Sequence, residues 1–467
     1  MIKNKTKIIA TVGPSCANLN VLSSMIDSGV NCFRVNLSHG SQEEKKSYFE
    51  LIKSLSESSN ETRPAILADL AGPKVRVRNL KQPIELTSGQ VVTISSSEKS
   101  DSVIPISKGL VFKDYDSNAR IMINDGKISL EIIEKISKYS FKCRTVVPGR
   151  IESKKGVNFL GVSIDVPSLT AQDEIDLSLA LENGADWIAL SFTRSKDDYD
   201  LVRTKIRNFG HDTPVMAKIE KWEAIKNLDS IVHAFDGVMV ARGDLGVELP
   251  LEQVPVIQKN IIKKAKLYGK PVVIATQMLD SMIDNLVPTR AEVSDVANSI
   301  LDGADTLMVT GETAMGNHPI DVINVLSDVI KETEKTVKYY SRAIGKDTVD
   351  STAGAISHAA CTIAKDLDIR SIVTMTQSGG TARMVSSFKP LANIYAMTTL
   401  KTTLRSLSII WGVIPVLIDN YNSSDEMPEI AKKKLIDLGV IDKKEKFVIT
   451  GGVPVNVPGT TNYISIL

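Results

Sequence analysis

Pro214-Val-Met-Ala-Lys-Ile-Glu220 is an apolar run that ends in charge, and so is Asp236-Gly-Val-Met-Val-Ala-Arg-Gly-Asp-Leu-Gly-Val-Glu248. This pattern is typical of buried parallel strands that deliver polar groups to a site. Because side chains alternate along a strand, Lys218 and Glu220 share one face. If the second run lies beside the first, about 4.8 Å away, Glu220 and Asp244 can bind one ion. A divalent cation beside a phosphate and a buried structural ion pair both fit these charges, so the stretch alone leaves the two interpretations open.

Length and composition narrow the class of protein. The chain has 467 residues, a formal net charge of +1, and only 5% aromatic residues. This length suits two or three domains, and the balanced charge disfavours nucleic acid or an anionic membrane as partner. Its four cysteines are scattered, which fits neither a zinc site nor a disulfide framework. With no signal peptide and no apolar run near the ~20 residues of a membrane span, we expect a soluble cytoplasmic protein.

Strand-like apolar runs recur at a spacing that predicts a barrel. They begin at Lys7, Cys32, Ala65, Asp186, Pro214, Gly237, Pro271 and Thr306. One interval is 121 residues, and the others lie between 23 and 35 residues. The shorter intervals each suit one strand and one helix, and eight such units close a (β/α)8 TIM barrel. A doubly wound open sheet is the alternative that this spacing leaves.

The long interval predicts an inserted domain. Subtracting one unit of roughly 30 residues leaves about 90, enough for a small domain. From Lys74 to about Pro167 the chain reads as short alternating strands, and Asn124-Asp125-Gly126 is a strong hairpin signal. We predict a small β-barrel domain that emerges from the third barrel strand, where a lid would lie.

The last third of the chain predicts a separate α/β domain. A helix over 351–367 is followed by strands that begin at Ser371 and near Ile394, Val413 and Phe447, with helices between them. The predicted division is therefore 1–72 and 168–342 for the barrel, 73–167 for the lid, and 343–467 for the C-terminal domain.

Polar groups stand where the predicted barrel strands end, which is where barrels gather their chemistry. Arg34, Asn36 and Ser38 share a face of the second strand, and Asp69 ends the third. The last two strands end in Thr276-Gln277 and Thr310-Gly311-Glu312. Burying such groups unpaired is costly, and a phosphate would satisfy them, although a salt-bridge network would also do so. Because nearly every strand ends this way, we predict a single phosphate-and-metal site.

Nucleotide-binding loops of the common kinds are absent from the sequence. It contains neither Gly-x-x-x-x-Gly-Lys-Ser/Thr nor a Gly-x-Gly-x-x-Gly that opens a helix after a strand. The residues by themselves therefore indicate a metal-assisted enzyme that acts on a small phosphorylated or carboxylated molecule.

Five long segments resemble pyruvate kinases. They are 34–40 (Arg-Val-Asn-Leu-Ser-His-Gly), 217–220 (Ala-Lys-Ile-Glu), 241–248 (Ala-Arg-Gly-Asp-Leu-Gly-Val-Glu), 275–282 (Ala-Thr-Gln-Met-Leu-Asp-Ser-Met) and 288–298 (Pro-Thr-Arg-Ala-Glu-Val-Ser-Asp-Val-Ala-Asn). The resemblance extends from Thr6 to Asn462 and has the β insertion in the family's position. It implies phosphoryl transfer from phosphoenolpyruvate to ADP, giving pyruvate and ATP in the last step of glycolysis.

The resemblance also implies roles for individual residues. Glu220 and Asp244 match the ligands of Mg²⁺ (or Mn²⁺), and Lys218 would face the phosphoryl group in transfer. Arg34 would hold the phosphate of phosphoenolpyruvate. Its carboxylate would meet the backbone amides at Gly243 and Asp244 and the hydroxyl of Thr276. Either Thr276 or a nearby water chain would protonate the enolate. Positions that match nucleotide contacts are Asn36, Ser38, His39, Arg76 and Lys155, of which the last two lie on the lid.

A departure from the family concerns K⁺. Many members bind K⁺ through residues matching Asn36, Ser38, Asp69 and the carbonyl of Leu70. Those members have Thr, Lys and Glu at the positions of Leu70, Ala71 and Lys74, so this chain resembles the subset that works without K⁺. The hypothesis is that the Lys74 ammonium supplies the missing charge, since two cations close together would repel. The alternative is a solvated lysine at the domain junction.

A loop in the C-terminal domain resembles the family's allosteric sugar-phosphate loop. It comprises Thr376, Ser378, Gly379, Gly380 and Thr381, and it follows a strand and opens a helix, a geometry that presents backbone N–H groups to an anion. A plain tight turn is the alternative, and the effector could be a sugar phosphate or a nucleotide. Nearby candidates for contacts to it are Arg383, Arg405 and Trp411. The family resemblance implies a homotetramer.

Two other functions stay open at this stage. One is another Mg²⁺-dependent barrel enzyme of enolates, such as a carbon–carbon lyase, which gives no account of Arg76 and Lys155. The other is a catalytically inactive metabolite sensor, which the intact set of Lys218, Glu220 and Asp244 disfavours.

Overall fold

The computed structural model describes residues 4–55, 63–97, 103–124, 126–336, 351–455, 457 and 459–467. Residues up to 70 supply three strands and two helices of a barrel. In chain order they are β1 (Lys7–Thr11), α1 (Leu19–Ser28), β2 (Cys32–Asn36), α2 (Gln42–Ser54) and β3 (Ala65–Leu70). Every residue of β1 and β3 is buried, as expected for strands covered on both faces. The side chains of Asn18 and Ser41 cap the two helices by accepting backbone N–H groups of the first turn.

The insertion after β3 is a β domain. Its strands are β4 (Ile84–Leu86), β5 (Val91–Ser95), β6 (Val103–Pro105), β7 (Val111–Ile123), β8 (Ile128–Ser137), β9 (Ser140–Val147), β10 (Gly149–Ile151) and β11 (Val157–Asp165). Six of them form an open, curled half-barrel in the order β11-β7-β8-β9-β5-β6, and β4 pairs with β10. Phe112 lies at its centre, with its ring centroid 4.5 Å from that of Phe141. The predicted lid is thus confirmed as a curled half-barrel.

One detail of the insertion differs from the sequence prediction, and another agrees with it. The run 75–78 makes only isolated bridges, Arg76 with Gly156 and Val77 with Ile106, instead of a full strand. The hairpin signal falls between β7 and β8, which pair at Ile123 and Ile128. Asp125 of that signal lies outside the described residues.

The chain then returns to complete the barrel. The remaining elements are α3 (Ala171–Glu182), β12 (Trp187–Leu190), α4 (Lys196–Asn208), β13 (Val215–Ile219), α5 (Trp222–Lys226), α6 (Leu228–Ala234), β14 (Gly237–Ala241), α7 (Arg242–Glu248), α8 (Val254–Leu267), β15 (Val272–Ala275), α9 (Arg290–Asp302), β16 (Thr306–Val309), α10 (Gly311–Ala314) and α11 (Pro319–Thr336). Eight parallel strands close in the order β1-β16-β15-β14-β13-β12-β3-β2. The TIM barrel is confirmed, and the alternative of an open doubly wound sheet is wrong.

The C-terminal part is a five-stranded α/β domain. It contains α12 (Thr352–Asp366), β17 (Ser371–Met375), α13 (Gly380–Ser387), β18 (Asn393–Thr398), α14 (Lys401–Ser406), β19 (Val413–Leu417), α15 (Glu426–Asp437), β20 (Val448–Gly452) and β21 (Thr461–Ile466). The strand order is β19-β18-β17-β20-β21, with β21 antiparallel to its neighbour. The four strands expected from the sequence are present, and β21 is an addition. The expected boundary at 342/343 lies outside the described residues.

The C-terminal domain covers one end of the barrel. The indole N–H of Trp187 on β12 donates to the carbonyl of Ser406 at 2.9 Å. The Thr306 hydroxyl on β16 donates to the carbonyl of Ile409 at 2.7 Å. Both barrel residues lie at the amino-terminal ends of their strands, so the carboxyl ends remain free for chemistry. Among the residues that the structure describes, no helix is long and apolar enough to cross a membrane.

Candidate active site

A buried chain of charges lies at the carboxyl ends of β2, β3 and β13. Arg34 Nη2 lies 2.7 Å from Asp69 Oδ2. The other oxygen of Asp69, Oδ1, lies 3.2 Å from Lys218 Nζ, which in turn lies 2.9 Å from Glu220 Oε1. Asp69 and Glu220 are each 1% exposed, and Arg34 and Lys218 are each 9% exposed. The structure therefore brings together four of the residues that the strand-end pattern singled out.

Neighbouring charges hold Asp69 and Lys218 in their ionised forms. Burial alone would raise the pKa of Asp69, but Lys218 and Arg34 hold it below its usual value. Burial would likewise lower the pKa of Lys218, but Asp69 and Glu220 keep it above its usual value. Burial raises the pKa of Glu220, Lys218 opposes that rise, and the nearby charge of Asp244 adds to it. The result is a charged lysine held between two carboxylates in a site that water scarcely reaches.

Glu220 has an oxygen that the surrounding protein does not fully satisfy. Its Oε2 accepts a hydrogen bond from the backbone N–H of Phe192 at 2.7 Å. Its Oε1 is buried and, apart from its ion pair with Lys218, accepts no hydrogen bond from the described residues. Asp244, about one-third exposed on the first turn of α7, is close enough to raise the pKa of Glu220. A buried carboxylate oxygen without a hydrogen bond, beside a second carboxylate, fits a hard divalent cation that keeps several waters.

No larger acidic cluster offers a rival metal site within the described ranges, where no group of three or more His, Cys, Asp or Glu side chains could hold a metal. Glu312, which follows the eighth strand, accepts backbone hydrogen bonds with both of its carboxylate oxygens. Its Oε1 accepts from the backbone N–H of Leu279 at 3.2 Å, and its Oε2 accepts from that of Thr310 at 2.6 Å. At least one of the carboxylates at the strand ends therefore stabilises loop backbone through hydrogen bonds.

The carboxyl ends of β14 and β15 meet at Thr276. The backbone N–H of Gly243 donates to Thr276 Oγ1 at 2.8 Å, and this hydroxyl donates to the carbonyl of Ala275 at 2.6 Å. The structure therefore brings Gly243 and Thr276, both expected near a carboxylate, into direct contact. Thr276 and Gln277 both have positive φ, at 69° and 53°.

Cations converge on His39 from the barrel and the lid. Burial lowers the pKa of His39, and Arg76, Lys74, Arg34 and Lys45 lower it further. Such mutual repulsion marks a region that an anion would stabilise. The Lys74 ammonium lies 3.8 Å from Asp244 Oδ1.

Three of the other expected nucleotide contacts, Asn36, Arg76 and Lys155, are partly buried. Arg76 Nη1 donates to the carbonyl of Lys154 at 3.1 Å, and Lys155 Nζ lies 3.4 Å from Glu152 Oε2. Asn36 Oδ1 accepts from the backbone N–H of Ser38 at 3.2 Å. In this conformation Arg76 and Lys155 contact other lid residues.

A lid–barrel hydrogen bond to Glu248 helps to hold that conformation. Asn158 on β11 donates its side-chain N–H to Glu248 Oε1 at 3.1 Å, and Lys221 Nζ lies 2.6 Å from the same oxygen. One carboxylate on α7 therefore connects the lid to the barrel a single helical turn from Asp244.

Sequence reasoning missed Ser191, which follows β12. Its hydroxyl accepts from Lys218 Nζ at 2.7 Å and donates to the carbonyl of Leu70 at 2.7 Å. Ser191 thus connects Lys218 to the Leu70 carbonyl, which was expected in the monovalent-cation pocket. The signal was present, because Ser191 ends the fourth apolar run as Asp69 ends the third.

A side-chain hydrogen bond and a glycine with positive φ fix the conformation of the loop at the start of α13. Thr376 Oγ1 accepts from the backbone N–H of Gly379 at 3.0 Å, and Gly379 has φ of 81°. A Cβ at Gly379 would meet Leu407 Cδ2 at 2.9 Å, so glycine is required both by conformation and by space. Thr381 Oγ1 lies 2.7 Å from Thr461 Oγ1 on β21.

Barrel residues lie near all three neighbours expected to help bind an effector, and Arg383 also lies beside Gly379 of the loop. Arg405 Nε donates to Asp186 Oδ1 at 2.7 Å. The centroid of the Trp411 ring lies 5.1 Å from Nζ of Lys5, which precedes the first barrel strand. Arg383 is close enough to Asp236 for that carboxylate to oppose the lowering of its pKa by burial.

Comparisons with known proteins agree over nearly the whole chain. The family model "Pyruvate kinase, barrel domain" matches residues 3–323, and "Pyruvate kinase, alpha/beta domain" matches residues 354–467. The pyruvate kinase of Thermotoga maritima is 42% identical over 465 residues, 99% of each chain. That of Clostridium acetobutylicum is 37% identical over 470 residues, again 99% of each chain. A crystal structure of a pyruvate kinase from Cryptosporidium parvum has a TM-score of 0.90 at 32% identity and covers 100% of this chain and 96% of that one.

Proposed function

The chain belongs to the pyruvate kinase family of glycolytic phosphotransferases, and from this premise we propose how its residues share the reaction. The activity transfers the phosphoryl group of phosphoenolpyruvate to ADP. The bond from phosphorus to the enol oxygen breaks, and a bond to a β-phosphate oxygen of ADP forms. The enolate then takes up a proton at carbon and becomes pyruvate.

The observation that supports this division of roles best is the ammonium of Lys218, held between Asp69 and Glu220 at 3.2 and 2.9 Å. In the transition state of the transfer, the phosphoryl group carries charge on its equatorial oxygens. A fixed cation in a site that excludes water stabilises that charge. Lys218 is assigned that task. Arg34, fixed by Asp69, binds the phosphate of phosphoenolpyruvate through its remaining guanidinium N–H groups.

The family generally uses a divalent metal, and we assign its protein ligands to Glu220 and Asp244. Glu220 Oε1 supports this assignment, because it is buried and, apart from its ion pair with Lys218, accepts no hydrogen bond from the described residues. Mg²⁺ (or Mn²⁺), when bound, polarises the phosphoryl and enolate oxygens. Glu220 and Asp244 orient it, while the amides of Gly243 and Asp244 and the hydroxyl of Thr276 hold the carboxylate of phosphoenolpyruvate. Thr276 or a water beside it delivers the proton to the enolate.

ADP is assigned to the cationic region around His39. Its contacts are Asn36, Ser38 and His39 from the barrel, with Arg76 and Lys155 from the lid. The mutual repulsion of Arg76, Lys74 and Arg34 at His39 supports this assignment, since a polyphosphate would relieve it. Arg76 and Lys155 reach the nucleotide when the lid closes, which also excludes water from the transfer.

Lys74 is proposed to replace a monovalent cation. Its ammonium adds positive charge within 3.8 Å of Asp244, and the pocket defined by Asn36, Ser38, Asp69 and Leu70 then needs no K⁺. Ser191 supports this proposal, because its hydroxyl already satisfies the Leu70 carbonyl.

Regulation, assembly and location are carried over from the family. The loop of Thr376, Ser378, Gly379, Gly380 and Thr381 is the proposed site of a sugar-phosphate or nucleotide effector. A cytoplasmic homotetramer is proposed, and exposed apolar side chains suit subunit contacts. Those exposed by two-thirds or more are Leu251, Val256, Val287 and Met315.

A coupled assay for pyruvate tests the proposed function. We expect pyruvate to form from phosphoenolpyruvate only when ADP and a divalent cation are both present. Pyruvate release from a larger carbon skeleton without ADP would instead favour a carbon–carbon lyase. Binding of phosphoenolpyruvate without turnover would favour a metabolite sensor.

A further inference from the structure

Two consecutive residues at the end of β15 have a conformation that side chains disfavour. Thr276 and Gln277 have φ of 69° and 53°, and neither is glycine or asparagine. Such backbone is costly for each residue and persists only where neighbouring groups over-determine it. The segment therefore needs a partner that holds both peptide units.

Arg242, the first residue of α7, is that partner. Its Nη2 donates to the carbonyls of Thr276 and Gln277, both at 2.9 Å, and its Nε donates to that of Thr276 at 3.3 Å. Nη1 lies 2.5 Å from Asp295 Oδ2 on α9, which orients the guanidinium. The Arg242 side chain is only 10% exposed. A planar guanidinium with several N–H donors suits this task, and a lysine ammonium would not reproduce it.

The next residue in the chain holds the side chain of the same threonine. The backbone N–H of Gly243 donates to Thr276 Oγ1 at 2.8 Å. Arg242 and Gly243 together therefore determine the position of Thr276 through its carbonyl and its hydroxyl. A change in the Arg242 guanidinium would alter where that hydroxyl lies relative to the Gly243 amide.

We propose that Arg242 is a positioning residue that holds the strained Thr276–Gln277 backbone so that the Thr276 hydroxyl and the Gly243 amide form one recognition site for a carboxylate. The inference rests on the proposed role of Thr276 and Gly243 toward phosphoenolpyruvate. It adds that recognition of the carboxylate depends on a residue that does not itself touch the substrate.

The test uses the full-length enzyme and three substitutions. Arg242→Met removes the guanidinium, and Arg242→Lys keeps the charge without the planar donors. Gln277→Gly removes the conformational cost at one of the two strained positions, since glycine adopts positive φ readily. We expect Arg242→Met to raise the KM for phosphoenolpyruvate about tenfold or more. Arg242→Lys should raise it nearly as much. The KM for ADP should change less than twofold in both variants. Adding Gln277→Gly to Arg242→Met should restore a measurable part of the loss.

Asp295→Asn is the matched control. It weakens the ion pair but leaves both carbonyl contacts available, so its effect should be much smaller than that of Arg242→Met. An equal loss in Asp295→Asn, or no recovery by Gln277→Gly, would overturn the proposal, because the ion pair or general stability would then account for the effect.

Amide hydrogen exchange separates this inference from the proposed function. The Gly243 N–H should exchange faster in Arg242→Met than in the unsubstituted enzyme and slow again with Gln277→Gly, whether or not pyruvate forms. Unchanged exchange at Gly243 would refute the positioning role even in an active enzyme. Failure of the unsubstituted enzyme to form pyruvate would refute the proposed function, while exchange would still report on the Arg242 contacts.

Discussion

Nζ of Lys218 on β13 and Oε1 of Glu220, the residue that follows this strand, are 2.9 Å apart. The lysine proposed to stabilise the phosphoryl group and the carboxylate proposed to bind the cation are therefore direct neighbours. Lys218 also contacts Asp69 and Ser191, so three oxygen atoms surround its ammonium before substrate is present. To bind a phosphoryl oxygen, the ammonium must give up one of these contacts. The contact with Glu220 is the natural one, because that carboxylate oxygen is also the one with lone pairs to offer a cation.

Lys218→Met should separate binding from turnover. Methionine keeps much of the volume but lacks the charge, and the charge matters most when the phosphoryl group is in flight. We expect kcat to fall by on the order of 10²–10³ while the affinity for phosphoenolpyruvate stays nearly unchanged. Steady-state rates with calorimetric binding measure both. Loss of binding with preserved turnover would contradict the role given to Lys218.

Ser191→Ala should lower turnover modestly. It removes one hydrogen-bond partner of Lys218 and leaves the Leu70 carbonyl without its hydroxyl donor, a loss of about 1–3 kcal/mol in stability. We expect kcat to fall about tenfold with a smaller change in the KM for phosphoenolpyruvate. Ser191→Thr, which retains a hydroxyl, is the matched control and should recover most of the rate. Equal rates for alanine and threonine would show that the hydroxyl does not position Lys218.

Lys74→Glu should make activity depend on K⁺. The substitution removes the ammonium near Asp244 and places a carboxylate where K⁺-dependent relatives of this family have one. We expect a low rate in K⁺-free buffer that rises at least tenfold when K⁺ is added, while the unsubstituted enzyme changes less than twofold. Initial rates in K⁺-free buffer, with choline chloride maintaining ionic strength, measure this. A large K⁺ activation of the unsubstituted enzyme would defeat the idea that Lys74 replaces the cation.

Lys7 should make stability rise at alkaline pH. Its side chain is buried and donates to the carbonyl of Val413 at 2.8 Å, and burial lowers its pKa from 10.5 to about 8, with Glu334 opposing. Between these pH values the unfolded chain holds a proton that the folded chain has lost, so the free energy of unfolding increases with pH. The contribution is present above about pH 8 and complete near pH 10.5, and it is absent below pH 8.

Urea unfolding at pH 7.5 and 9.5 measures this contribution. For Lys7 alone the gain across the full window is roughly 3 kcal/mol. Lys7→Met should reduce the increase, whereas substitution of the exposed Lys81 should leave it unchanged. An increase of the same size in Lys7→Met would show that other groups cause it.

The barrel was predictable because its strands are short, buried and regularly spaced. Covered on both faces, they appear as continuous apolar runs, and their polar ends pointed to Arg34, Asp69 and Lys218. Ser191 escaped notice because a neutral residue at a strand end resembles an ordinary loop serine. The contacts of Arg242 depend on the backbone conformation of Thr276, which no local pattern in the sequence encodes. The edge strand β21 lacks the buried apolar pattern, since only one of its six residues is fully buried.

Binding of Mn²⁺ measured by electron paramagnetic resonance tests the central claim most directly, because it reports on Glu220 and Asp244 without catalysis. We predict one site per chain, weakened at least tenfold by Glu220→Gln and by Asp244→Asn, and unaffected by Glu223→Gln on the adjacent helix. Mn²⁺ binding of undiminished affinity in both Glu220→Gln and Asp244→Asn would contradict the account.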